Sequence, residues 1–181
     1  MIEVLKKLLS EYLSRAEWIE VYSKLDNTSS FVVGQVLFLD EEYVLLGLIH
    51  PSGVYDGYLI LKLDKIYQIK EKSGYISRLQ LLEKMQEKIE FKISMSKDNL
   101  LYNFLHICKK NQWIVSVEIN NSDYNDIIGQ VYAVDEKTAE ILEITDDGKE
   151  DGKSILDLEN ITRVSADDLN GRKIQLFSRY L

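Results

Sequence analysis

Apolar residues recur at helical spacing from the start of the chain. Ile2, Leu5, Leu8, Leu9, Tyr12 and Leu13 share one face, with Lys6, Lys7, Glu11 and Arg15 outside it. That pattern predicts an amphipathic helix over 2–16. The period then shortens. Trp18 to Leu25 predicts a strand of imperfect alternation, and Asp26 to Ser30 a polar turn. Phe31 to Asp40 is apolar on both faces, as expected of a long strand shared by two parts of a curled sheet. Gly34 marks a bend or bulge inside it. Strands at Tyr43–Ile49, Tyr58–Leu63 and Ile66–Ile69 bring the count to five. The loop His50–Gly57 is the longest connection and holds the one proline, Pro51. Ser73 to Lys88, rich in Leu, Met, Gln, Glu and Lys, predicts a helix leading into the second half.

The second half repeats this order. A helix is expected over 98–110, with Asp98 as its cap and Leu100, Leu101, Phe104, Leu105 and Cys108 turned inward. Strands follow at Trp113–Ile119, 126–134, 138–144, 153–158 and 161–164, and 166–181 repeats the closing segment. The residues carry the repeat too. Gly34-Gln35-Val36 and Asp40-Glu41 recur as Gly129-Gln130-Val131 and Asp135-Glu136, an offset of 129 − 34 = 95. The offset runs without a gap from Trp18/Trp113 to Leu81/Leu176 and includes Gly53/Gly148, Gly57/Gly152, Ile60/Ile155 and Ile66/Ile161. Unrelated chains match at roughly one position in fifteen to twenty, and this pair matches several times more often. The chain therefore reads as two copies of one unit, with domains at 1–88 and 96–181.

Composition narrows the class. At 181 residues, 45% hydrophobic and 29% charged, the chain is that of a soluble globular protein with two small cores. The first residues, Met1-Ile2-Glu3-Val4-Leu5-Lys6-Lys7, do not read as a signal peptide, and no apolar run is long enough for a membrane span. One cysteine, Cys108, excludes an internal disulfide and points to a cytoplasmic setting of bacterial type. A net charge of −8 argues against non-specific binding to phosphate backbones.

A helix followed by five short strands with a bent second strand resembles the Sm and Sm-like small-barrel family. The resemblance covers both units. The glycine and the aspartate six residues later in the family's first motif are matched by Gly34/Asp40 and Gly129/Asp135. The spacing of the second motif is kept in Leu61 to Ile66 and Leu156 to Ile161. The resemblance implies a mainly β fold with α: two tandem five-stranded small barrels, each preceded by an N-terminal helix. It would be contradicted by one sheet running through both halves. The family's RNA-contacting asparagine falls on Val44 and Ala139, and its Arg-Gly pair on Lys62-Leu63 and Asp157-Leu158. The parts that build the barrel are present and the parts that touch bases are not.

Candidate chemistry is sparse. His50 and His106 are the only histidines, too few to build a three-ligand metal site with convergent neighbours. Asp146, Asp147, Glu150 and Asp151 lack the alternation and distant glutamate of a calcium loop. No catalytic residue, metal or cofactor is implied. Tyrosines cluster in the later half of the first unit, and their counterparts in the second are Thr, Glu, Lys and Asn. Tyrosine is enriched at binding surfaces, so Tyr43, His50, Tyr55, Tyr58 and Lys62 form the candidate binding set. The expected function is a non-catalytic protein-interaction module, immunity- or antitoxin-like or regulatory, whose partner is another protein. The alternative is a divergent Sm-like RNA-binding protein with a small basic face near Lys62 and Arg78. The two units would form a pseudo-dimer through strand edges, and a homo-oligomer is compatible with that design.

Overall fold

The computed structural model describes residues 2–25, 27–120 and 127–180. The first half consists of α1 (Ile2–Arg15), β1 (Trp18–Tyr22), β2 (Val32–Leu39), β3 (Tyr43–Ile49), β4 (Tyr55–Lys62), β5 (Gln68–Glu71) and α2 (Gly74–Lys84). The second consists of α3 (Leu100–Asn111), β6 (Ile114–Ile119), β7 (Ile127–Val134), β8 (Thr138–Ile144), β9 (Glu150–Asp157), β10 (Ile161–Ala166) and α4 (Leu169–Tyr180). Asp26 of the expected polar turn and Asp126, expected to open the seventh strand, lie outside the described residues. β4 and β9 each start three residues earlier than the apolar pattern implies. The reason is that His50 and Thr145 close their loops tightly, with His50 N–H donating to Val54 O and Thr145 N–H to Lys149 O, both at 2.8 Å.

All ten strands belong to one open antiparallel sheet, in the order β5-β1-β2-β3-β4-β10-β6-β7-β8-β9. Each half supplies five adjacent strands in the same relative order, and the halves meet where β4 pairs with β10. The register sets Leu61 opposite Arg163, Ile60 opposite Val164, Leu59 opposite Ser165 and Tyr58 opposite Ala166. This corrects the expectation of two separate barrels. The physical reason lies in the two edges. Leu59, Ile60, Val164 and Ala166 have no exposed surface at all and Tyr58 only 3%. Edges this apolar are not left in water when they can pair with each other.

The local hydrogen bonding recurs at the same offset. Asp40 Oδ1 accepts the amides of Glu42 and Tyr43, and Asp135 Oδ1 those of Lys137 and Thr138. Leu63 N–H donates to Glu42 O and Leu158 N–H to Lys137 O, each at 2.8 Å. Gly53 and Gly148 share a φ near +85°, at 85° and 86°, a conformation that favours glycine. Gly34 and Gly129 serve another purpose. Neither has a positive φ, and the bulges lie further on, between Val36 and Phe38 and between Val131 and Ala133. A Cβ at Gly34 would stand 2.9 Å from Gly47 O, and one at Gly129 would strike Leu142 O. These glycines admit the neighbouring strand.

Three clusters make up most of the core. In the first half, Leu9 and Tyr12 of α1 pack on Ile19, Val36, Leu46, Leu59 and Leu61. The largest cluster crosses the junction. There Leu100, Leu101, Phe104, Leu105 and Cys108 of α3 lie with Leu45 and Ile60 from one half and Val117, Ile141 and Val164 from the other. Trp18 belongs to a third cluster, with Val33, Ile49, Ile76 and Leu79, so it anchors α2 on the sheet. The expected cap of α3 is also corrected. Asn99 occupies the N-cap position with φ 53° and no side-chain cap bond, and the Leu100 amide is taken by Asp40 instead.

Candidate interaction surfaces

Four of the five candidate binding residues face the second half of the chain. Tyr43 is 5% exposed and its hydroxyl donates to Ile161 O at 2.7 Å. Tyr55 donates to Asp167 Oδ2 at 2.7 Å, with the Arg172 guanidinium 5.2 Å from its ring centre. Tyr58 stacks on Trp113 at 5.4 Å between centroids. Lys62 Nζ donates to Glu159 O at 3.2 Å and lies 5.9 Å from the Tyr43 ring. Burial raises the phenol pKa of all three tyrosines, and the bond to Asp167 raises that of Tyr55 further. His50 stands apart in its loop, with Nδ1 2.7 Å from Ser52 Oγ. The tyrosine-rich surface of the first unit is thus applied to the second unit. Its counterparts Thr138, Glu150 and Lys153 are polar and lie on β8 and β9, at the outer end of the described sheet.

The helices carry a second surface, which the residue pattern did not single out. On α2, Leu81 is 61% exposed and the capping residue Met85 78%; on α4, Leu176 is 54% exposed and Tyr180 79%. The offset of 95 relates 81 to 176 and 85 to 180, and within each helix the pair is four residues apart, on one face. Basic residues recur beside them, Arg78 and Lys84 on α2 and Lys173 and Arg179 on α4. Leu81/Leu176 is among the identical pairs of the repeat, but identity alone does not separate an exposed leucine from a core one.

The two halves differ behind these helices. In the first, Glu20 is 1% exposed and its carboxylate accepts the hydroxyls of Ser73 and, at 2.7 Å, Tyr22. In the second, Ser116 stands opposite Ile128 as Glu20 stands opposite Val33, so a serine takes the glutamate's place in the register, and Gly171 replaces Ile76. What remains is a cleft of about 230 Å³ between α4 and β6, lined by Ile114, Ile128, Asp168, Gly171 and Ile174 among others. Asp168 is already engaged there, its Oδ1 accepting the Gly171 amide at 2.6 Å.

Among the described residues no reactive constellation accompanies these surfaces. Cys108 is fully buried, and desolvation raises its thiol pKa, the state of an inert core cysteine. In the acidic loop, Asp147 is held by Lys149 Nζ at 2.6 Å and Thr145 Oγ1 at 2.5 Å, and those bonds lower its pKa. Among the described residues no group of three or more His, Cys, Asp and Glu stands together as a metal site would require, and no helix is long and apolar enough to cross a membrane. No protein-family model, curated protein or solved structure matches the chain.

Proposed function

We propose that this is a non-catalytic protein-interaction protein of the cytoplasm, built from two Sm-like five-stranded units joined edge to edge in one sheet, which presents its helices α2 and α4 to a protein partner. The observation that carries the reading is the repeated exposed pair, Leu81 with Met85 and Leu176 with Tyr180. Large apolar side chains in water are common singly. The same two positions left exposed in both copies, each beside two cations, describe a presented surface. The strand order of each half supports the Sm-like relation, since each half keeps five adjacent antiparallel strands behind a helix. Protein is preferred over RNA because Lys62 is committed to Glu159 at the junction and the whole chain carries −8.

Affinity purification from the native host, with the helix pairs intact or replaced by serine, tests the reading. The expected result is a co-purifying protein that is lost when Leu81 and Met85, or Leu176 and Tyr180, are replaced. Recovery of the same proteins by both forms contradicts it. So does an association that nuclease abolishes and that weakens steeply with salt, the behaviour of a phosphate-backbone contact.

A further inference from the structure

We infer that the element of the partner that makes the contact is an acidic amphipathic helix, which lays its apolar face along the exposed stripe of α4 and, more weakly, along that of α2. The inference rests on the role proposed above for these helices and names the chemistry that fits them.

Charge is the first ground. The whole chain carries −8, yet α4 holds Arg172, Lys173 and Arg179 and no Asp or Glu. Arg172 is engaged within the fold, with Nη1 3.6 Å from Asp167 Oδ1. Lys173 and Arg179 are exposed, and among the described residues neither is paired with a carboxylate. The same holds for their counterparts at the offset of 95, Arg78 and Lys84. At both positions the copies exchange arginine for lysine and keep the charge. The two side chains substitute for each other where a positive charge is needed and the geometry of a guanidinium fork is not. That describes a field that attracts carboxylates, rather than a fitted site for one phosphate.

Spacing is the second ground. Lys173, Leu176 and Tyr180 follow at i, i+3 and i+7, which is one stripe of a helix. Arg78, Leu81 and Met85 repeat it. An apolar ridge of this kind packs against the ridge of another helix, whose own apolar residues recur at the same spacing. Carboxylates flanking that ridge would meet the cations. A long polyanion such as RNA would meet them too, but it would leave the leucines uncovered and run on over a chain that is otherwise strongly acidic. A short acidic helix touches the stripe alone. The two copies are unequal. Glu83 lies beside the stripe of α2 where α4 has Ser178, so α4 is the stronger site.

Fluorescence anisotropy with the full-length protein and two labelled peptides tests this. Both are helix-forming peptides of about twenty residues with leucine at i, i+3, i+4 and i+7; the other positions are rich in glutamate in one and in lysine in the other. Saturable binding of the glutamate peptide is expected, weakened but not abolished by salt, with the lysine peptide at least about tenfold weaker. Leu176→Ser with Tyr180→Ser, and separately Lys173→Gln with Arg179→Gln, should each weaken the glutamate peptide about tenfold. Serine at Leu81 and Met85 should weaken it less. All these positions are exposed, and thermal melting confirms that each variant is folded. Equal binding of the two peptides, or none of the glutamate peptide, overturns the inference. So does tighter binding of phosphatidylserine vesicles or of mixed RNA through the same residues. If the lysine peptide binds instead and the serine variants release it, the helices remain an interaction surface and only the acidic helix is wrong. If the glutamate peptide binds and no serine variant weakens it, the surface itself is wrong as well.

Discussion

Asp40 Oδ2 accepts the backbone amide of Leu100 at 2.8 Å, while Oδ1 of the same carboxylate holds the amides of Glu42 at 2.8 Å and Tyr43 at 2.7 Å. One side chain thus closes the β2–β3 turn of the first half and satisfies an orphan amide at the start of α3, the helix that covers the junction. Its counterpart Asp135 closes the matching turn, but its Oδ2 takes Thr138 Oγ1 at 2.9 Å and reaches no helix. Asp40→Ala should therefore cost about 1–2 kcal/mol, and Asp135→Ala clearly less. Urea midpoints of the two variants decide it, and equal shifts would remove the capping role.

The two motif glycines should differ in the same assay. A methyl at Gly34 would meet Gly47 O at 2.9 Å, so β3 has to give by a few tenths of an ångström, whereas at Gly129 it would collide with the Leu142 carbonyl. Both alanine variants should be destabilised by about 1–3 kcal/mol, Gly129→Ala the more. Unchanged urea midpoints for both would show that the strands approach each other less closely than described.

Alkaline pH should loosen the fold through its buried phenols. Burial, followed by the bond to Glu20, pushes the Tyr22 phenol up to about 12, while an unfolded tyrosine titrates near 10. Between those values the folded state keeps a proton that the unfolded chain has lost. The contribution to stability is therefore complete below about pH 10 and disappears as the pH rises through about 12. Tyr12, Tyr43 and Tyr55 are shifted in the same direction, chiefly by burial. A spectrophotometric phenolate titration should show a late group of tyrosines that appears together with unfolding. All 11 tyrosines titrating in one step near pH 10 would contradict the buried positions.

The tryptophans should report two environments. Trp18 is 7% exposed and lies edge-on to Phe91 at 6.0 Å, so Trp18→Ala should cost about 3–5 kcal/mol. Trp113 is partly buried on Tyr58 at the junction. In a Trp113→Phe protein the remaining emission should be blue-shifted and shielded from acrylamide. Free quenching of Trp18 in the folded state would refute its place in the core.

Much of the fold could be read from the residues. The period changes place α1, α3 and nearly every strand, and the motif aspartates do close their turns. The arrangement of the halves could not be read in this way. Pairing β4 with β10 depends on contacts such as Tyr43 with Ile161, 118 residues apart, and no local period encodes a partner that distant. The candidate site fared similarly. Tyrosine enrichment suggests a surface for a partner, and in this structure Tyr43, Tyr55, Tyr58 and Lys62 meet the other half of the chain, which composition cannot distinguish from a separate protein. The linker was equally opaque. Phe91, which covers Gly47 and touches Trp18, Tyr55 and Tyr58, sits in a stretch with no regular structure and hence no period to read.

Native-state hydrogen exchange tests most directly whether the halves form one sheet. It compares β4 and β10 with β9 and β5. Paired strands within a buried core exchange only through large openings, while unpaired edge amides exchange readily. The amides of Leu59, Ile60, Leu61 and Val164 should be among the slowest in the protein, and the alternate amides of β9 and β5 that face away from their one neighbouring strand among the fastest in the strands. If β4 and β10 instead exchanged as fast as β9 and β5, the two units would be separate bodies and the junction described here would be wrong.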